Sequence, residues 1–157
     1  MANNEKEPSP APVAFSINAQ YIRDLSFEGP AHPNDAAGPT PPQIEVNVSA
    51  QTRALDNNIF EVILSTRAQA KMDGKHAFLV ELAYAGMVSV PPGLPDEALR
   101  YLLLVEAPRQ LFPFARAIIA NATREGGFPP LLLQPIDFNA LYQQQMTSVA
   151  APAAGST

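Results

Sequence analysis

The sequence predicts an α+β fold in which a four-stranded antiparallel sheet carries its helices on one face. Three observations support this prediction. Up to Val90, apolar and polar side chains alternate in several segments, as they do in half-buried strands. Asp73-Gly74, a dipeptide that strongly favours a tight hairpin, separates two of these segments. Beyond Asp96 the apolar period lengthens to about 3.6 residues, which is typical of a helix.

Four segments have the strand pattern, and their connections differ. The first is YIRDLSFEGP (21–30), and the others are QIEVNVSAQ (43–51), IFEVILSTRAQAKM (59–72) and KHAFLVELAYAGMVSV (75–90). In the first strand one face is expected to hold Tyr21, Arg23, Leu25 and Phe27, and the other Ile22, Asp24, Ser26 and Glu28. Residues 29–42 contain five prolines and are too long for a hairpin, which predicts a crossover after the first strand. Gly86 is a candidate β-bulge.

Three helices are expected after the strands. Residues 96–107 are apolar around nearly the whole helix, with Leu99, Leu102 and Leu103 among them. A single sheet covers only one side of a helix, so we predict that the rest packs against another subunit. A second helix over 111–127 ends at a glycine pair. A short third helix begins after Asp137 as N-cap.

Length and composition indicate a single domain with no nucleic-acid partner. The 157 residues predict one packed body over 15–148, with a disordered head (1–14) and a disordered tail (149–157). A net charge of -5 without a basic cluster disfavours binding to nucleic acid. The N-terminus lacks the pattern of a signal peptide, and the apolar runs are too short to insert into a membrane. A soluble cytoplasmic protein is therefore expected, and the absence of cysteine agrees with a reducing compartment.

The sequence contains no recognisable catalytic or metal-binding motif. His32 and His76 have no further ligand at helical spacing, so no metal and no cofactor is expected. Asp24 and Glu28 lie about 13 Å apart along a strand, which is too far for an acid–base pair. We therefore predict that the protein is not an enzyme. The simplest interpretation of the carboxylates is a solvated strand face, although apolar Leu79 beside Glu81 on the fourth strand leaves a contact surface open.

Several motifs in order resemble one family. YIRDLSFEGP, AFLVEL, LFPFAR and GGFPPLLLQPIDFNALY, spread over residues 15–146, are similar to the SecB family of bacterial protein-export chaperones. The family often has a tryptophan in the crossover, and this chain has none. The resemblance implies a dimer of dimers that associates through its long helices, here the helix with Leu99, Leu102 and Leu103. It also implies an ATP-independent holdase that keeps precursor proteins unfolded and delivers them to the SecA ATPase.

The resemblance also assigns candidate site residues. Docking to SecA is expected at acidic and apolar positions of the first and fourth strands, which match Asp24, Glu28, Leu79 and Glu81. Client binding is a weaker hypothesis drawn from strand and loop edges, and its candidates are Phe27, Met87, Val88, Leu94 and Leu131. Two other interpretations remain open at this point. One is a small-molecule-binding or enzymatic α+β domain, and the other is a structural oligomerisation module with a solubilising acidic face.

Overall fold

A four-stranded antiparallel sheet forms the framework of the chain. The computed structural model describes residues 14–30 and 41–150, with side chains as far as Thr147. The strands are β1 (Ser16–Glu28), β2 (Gln43–Asp56), β3 (Ile59–Met72) and β4 (Lys75–Ser89). Their order across the sheet is β1-β4-β3-β2, so β1 and β2 form opposite edges and a crossover joins them. The predicted sheet and its connections are confirmed, while most of the crossover, His32 included, lies outside the described residues.

Both hairpin turns use residues that tolerate positive φ. Asn57 and Asn58 join β2 to β3 with φ of 31° and 62°, and Asp73 and Gly74 join β3 to β4 with φ of 50° and 77°. Asn, Asp and Gly adopt this left-handed region at low cost, and two such residues in a row match the right-handed twist of the strands. The turn chemistry therefore explains why β2, β3 and β4 are consecutive neighbours.

The predicted faces of β1 are wrong in its first half because the strand contains a register shift. Asp24 lies opposite Ala83 but Ile22 lies opposite Tyr84, so Arg23 is an extra residue in the ladder. Residues before the shift change sides, because successive side chains in a strand alternate between faces. Gly86 is not at a shift. Instead, a Cβ there would lie 3.0 Å from the Leu111 side chain, so the glycine allows close packing of the helix on the sheet.

The two long helices predicted from sequence form one continuous rod. It consists of α1 (Asp96–Tyr101), a π-helical turn (Leu102–Glu106) and α2 (Ala107–Glu125). The backbone N–H of Ala107 donates to the carbonyl of Leu102, five residues earlier, which is the wider π spacing. Pro108 follows directly, where the hydrogen-bond spacing returns from five residues to four. Because proline has no N–H, Pro108 brings no donor that would need a partner at this change.

Two of the three helix residues predicted to contact another subunit, Leu102 and Leu103, pack inside their own chain. Leu102 and Leu103 are only 2% and 3% exposed, and Leu99 is partly buried against the same core. The π-helical turn contacts β2, β3 and α3 (Phe138–Ala150) of its own chain. The sheet and α3 therefore both cover apolar side chains of the rod within one chain.

The third helix closes the core. The N–H of Ala140 donates to the carboxylate of Asp137 at 3.0 Å, which confirms the predicted N-cap. Phe138 at the start of α3 is 2% exposed and packs edge-on against Phe112, with ring centroids 5.9 Å apart. Residues 1–13 and 151–157, in which disorder is predicted, lie outside the described residues. Of the helices that are described, none is both long and apolar enough to cross a membrane.

Candidate functional site

The sheet face that points away from the helices, called the open face here, carries all four predicted docking residues. Glu28 lies opposite Leu79, Ser26 lies opposite Glu81, and Asp24 lies opposite Ala83. Because directly opposed residues share a face, these side chains form one patch about 13 Å long. The three carboxylates are exposed and Leu79 is half-buried between them. The structure therefore brings the predicted residues together at one end of the open face, which we call the acidic end.

The acidic end also contains two charged residues that the sequence did not predict there. Glu45 on β2 lies in the same row as Leu79, since both are opposite Gln69. Arg67 on β3 lies opposite Glu81, and its Nε is 3.5 Å from a carboxylate oxygen of Glu81. Both side chains of this pair are about half exposed, so water screens it and the acidic end keeps a net negative charge.

The other end of the open face contains a buried carboxylate surrounded by donors. Glu61 on β3 is 4% exposed. The hydroxyl of Tyr21 donates to its Oε2, and guanidinium nitrogens of Arg23 and Arg53 each lie 3.3 Å from its Oε1. These four residues, called the Glu61 cluster, join β1, β3 and β2 across the open face. Tyr21 and Arg23 can take part only because the register shift in β1 moves Tyr21 to this face.

Two tyrosine hydroxyls have perturbed acidity. The hydrogen bond to Glu61 is the main reason that the pKa of Tyr21 lies above its ordinary value of 10.0, and burial and the Glu61 charge act in the same direction. Burial alone raises the pKa of Tyr84, whose hydroxyl lies 3.0 Å from the side-chain oxygen of Gln20. Both shifts favour the protonated phenol, so these groups act as neutral hydrogen-bond donors.

A groove with a mainly apolar lining, called the apolar groove here, runs between the edge strand β2 and the segment that joins α2 to α3. It encloses about 550 Å³. Its lining residues are Ile44, Val46, Val48, Leu131, Leu132, Leu133, Gln134, Pro135, Ile136 and Leu141. Ile44 is 41% exposed, Val46 39% and Leu132 59%, so three large apolar side chains face solvent in one concavity. Such a surface is typical of a binding site for apolar chain segments.

Hydrogen bonds from α2 hold the wall of the apolar groove. The N–H of Leu131 donates to the Thr123 hydroxyl at 2.9 Å, and Nε of Arg116 donates to the carbonyl of Leu133 at 2.9 Å. Thr123 is fully buried, and its hydroxyl also lies within 3.1 Å of the carbonyl of Ile119. The extended segment is therefore fastened on both sides of Leu132, which leaves that side chain exposed.

The five residues from which client-binding positions were predicted do not form one surface. Leu131 lines the apolar groove, whereas Phe27 lines a separate hollow of about 540 Å³ beside α2. Met87 lies on the open face opposite Ala19, and its neighbour Val88 is 0% exposed beneath the helices. Leu94 packs partly buried against the core. The alternation of β4 separates Met87 from Val88, because successive side chains of a strand point to opposite faces.

The remaining polar groups do not assemble into a metal site. Within residues 14–30 and 41–150, no three His, Cys, Asp or Glu side chains lie close enough together to hold a metal ion.

Comparison with known proteins identifies the family. The family model described as preprotein translocase subunit SecB matches residues 6–149. Protein-export protein SecB of Rhodospirillum centenum is 46% identical over 146 residues, covering 92% of this chain and 86% of the relative. The corresponding protein of Granulibacter bethesdensis is 49% identical over 136 residues, covering 81% and 79%.

The fold has a solved counterpart as well. The SecB-like chaperone of Mycobacterium tuberculosis, solved with a ChAD peptide from an antitoxin, superposes with a TM-score of 0.66 at 15% identity. The match covers 78% of this chain and 90% of that one. At this identity the likeness concerns the fold alone. Together with the family match over residues 6–149, these findings show that the chain belongs to the SecB family, the chaperones for protein export.

Proposed function

We propose that the chain is an ATP-independent cytoplasmic holdase that keeps precursor proteins unfolded and delivers them to SecA. The observation that carries this proposal is the apolar groove, in which Ile44, Val46 and Leu132 expose apolar surface on a rigid support. Unfolded segments differ from folded proteins in exposing apolar side chains, which can be buried here. Each side chain that moves from water into such a groove contributes about 1 kcal/mol. The peptide bound to the Mycobacterium tuberculosis relative supports the same use of the fold.

Client holding is tested by mixing the protein with a chemically unfolded polypeptide in the absence of ATP. The wild type should suppress aggregation of the polypeptide, and Val46→Ser or Leu132→Ser should weaken its affinity for the unfolded chain about fivefold. Leu55→Ser is the matched control, because Leu55 lies on the same strand outside the groove and is 39% exposed, as Val46 is. Equal losses of client affinity in all three variants would show that the groove is not the client-binding site. If the wild type did not suppress aggregation, the proposed holdase function would be contradicted.

Docking to SecA is proposed for the acidic end of the open face. Asp24, Glu28 and Glu81 present negative charge around the half-buried Leu79, a pattern that suits a basic partner with an apolar contact at its centre. Asp24→Asn combined with Glu28→Gln should weaken SecA binding in calorimetry at low salt, where screening is least.

A control with the same loss of charge separates docking from a general charge effect. Asp96→Asn combined with Glu97→Gln also removes two carboxylates, but these lie in the first turn of α1 and not on the open face. This variant should bind SecA as the wild type does. Equal affinities for the wild type and the open-face variant at low salt would contradict the docking proposal.

Self-association is proposed at the β1 edge of the sheet. Ile22 and Leu25 on β1 and Phe114 on α2 are 47%, 41% and 51% exposed, which is high for large apolar side chains. Ile22 lies opposite Tyr84, whose ring stacks on Phe114 with centroids 6.3 Å apart, so the three elements form a continuous apolar surface. An edge strand also offers backbone groups to a further strand. A second copy of the chain would cover both features, as a homotetramer built from dimers requires.

A further inference from the structure

The Glu61 cluster leaves positive charge at the surface. One carboxylate contacts two guanidinium groups, those of Arg23 and Arg53, so the cluster has one excess positive charge. The side chain of Glu61 is 5% exposed, whereas those of Arg23 and Arg53 are 43% and 61% exposed. The negative charge is therefore enclosed, and the excess positive charge faces solvent.

Both arginines retain donors for a further partner. A guanidinium group has five N–H donors in a planar fork. NH1 of Arg23 and NH2 of Arg53 each lie 3.3 Å from the same oxygen of Glu61. Both guanidinium groups therefore meet at one carboxylate oxygen. The exposed parts of these forks can receive a carboxylate in a bidentate contact.

The cluster and the acidic end lie on the same face with opposite charge. Along β4, Glu81 marks the acidic end and Met87, opposite Glu61, marks the cluster, and the six residue steps from Glu81 to Met87 correspond to about 20 Å. The open face is therefore acidic towards Glu28 and Glu81 and basic towards Glu61, and the two regions adjoin at Asp24 and Arg23 on β1. In one orientation, a docked partner places its cations against the acidic end. In the reversed orientation, the same cations would meet Arg23 and Arg53, and this contact between like charges is unfavourable.

We propose that Arg23 and Arg53 bind a carboxylate of the same protein that docks on the acidic end, and that this contact fixes the orientation of the docked partner. The inference rests on the proposed docking function, and it adds an acidic element to a partner surface that is otherwise expected to be basic. Glu61 and Tyr21 act as positioning residues, since they hold the two arginines without facing the partner.

The test compares SecA binding by charge variants of Arg53, the more exposed arginine. Arg53→Gln should weaken binding about threefold at low ionic strength, and Arg53→Glu should weaken it further. Both differences should disappear at about 1 M salt, where charge interactions are screened within a few ångström. Arg109→Gln is the matched control, because it removes a half-exposed arginine that pairs with Glu106 on the helical rod.

Two controls separate a loss of SecA contact from a loss of folding. Thermal melting checks that each variant is folded, and Arg53→Lys keeps the charge beside Glu61 if Arg53→Gln is unstable. Lysine has no planar fork of N–H donors, so SecA affinity should be about twofold weaker than in the wild type.

Unchanged SecA affinity in all Arg53 variants, with weakened binding in Asp24→Asn/Glu28→Gln, overturns this inference and leaves docking intact. A loss of unfolded-client affinity instead of SecA affinity also overturns it. If the Asp24/Glu28 variant binds normally too, docking and this inference fail together.

Discussion

At the scale of single residues, the packing of Phe27 depends on a glycine at the end of α2. The Phe27 ring stacks on Phe78 and contacts Phe128, with centroids 5.9 Å and 6.3 Å away. A Cβ on Gly126 would overlap the Phe27 ring. The backbone of Gly126 has φ of -77°, which any residue adopts, so only the lack of a side chain matters at this position.

Gly126→Ala should therefore destabilise the protein without straining its backbone. Overpacking of this kind costs about 1–3 kcal/mol, which should appear as a lower free energy of unfolding in urea. The matched variant is Phe27→Leu combined with Gly126→Ala. Because the smaller side chain removes the overlap, the double variant should lose less stability than the two single changes predict together. Strict additivity would show that the two residues do not interact.

At the scale of elements, α2 supports the wall of the apolar groove through Thr123. The buried hydroxyl accepts from the N–H of Leu131 and lies within hydrogen-bond distance of the Ile119 carbonyl. Thr123→Val keeps the shape of the side chain but leaves the Leu131 N–H without its partner. Loss of such a bond costs about 1–3 kcal/mol. We expect faster hydrogen exchange at Leu131 and weaker binding of an unfolded client.

The conservative change separates positioning from packing. Thr123→Ser retains the hydroxyl and should retain slow exchange at Leu131 and client affinity, although it removes a methyl group from the core. SecA affinity should be the same in both variants, because the open face lies on the other side of the sheet. If serine behaved as valine does, the hydrogen bond would not be what holds the wall.

The elements also show which parts of the site were predictable. Alternation along β3 places Arg67 on the face opposite to its apolar side chains, and the Asp73-Gly74 turn indicates that β4 is the partner strand. A simple count from that turn would place Arg67 opposite Val80, but a register shift between Ala70 and Lys71 places it opposite Glu81. Bulges depend on packing across the sheet, which a single strand does not encode. The same limitation hid the change of face in β1 that brings Tyr21 to Glu61.

At the scale of the whole molecule, the clustering of residues at the acidic end was easier to predict from sequence than the apolar groove. Asp24, Glu28, Leu79 and Glu81 are on two neighbouring strands, and the family resemblance named them before any geometry was known. The groove combines β2 with residues far along the chain, such as Leu132, and no short motif indicates that pairing. The burial of Leu102 was equally hard to predict, because α3, which contacts the same helical turn, lies far along the chain.

The proposed subunit contact at the β1 edge leads to a prediction about assembly. Ile22→Ser combined with Phe114→Ser removes two of the most exposed apolar side chains of that surface and leaves the core intact, so each chain should still fold. Light scattering should give about four times 16.8 kDa for the wild type and a smaller mass for the variant. Leu132→Ser removes a side chain that is even more exposed, at 59%, but lies in the groove, so its mass should equal that of the wild type. A tetrameric Ile22/Phe114 variant would place the contact elsewhere, and a monomeric wild type would contradict the assembly itself.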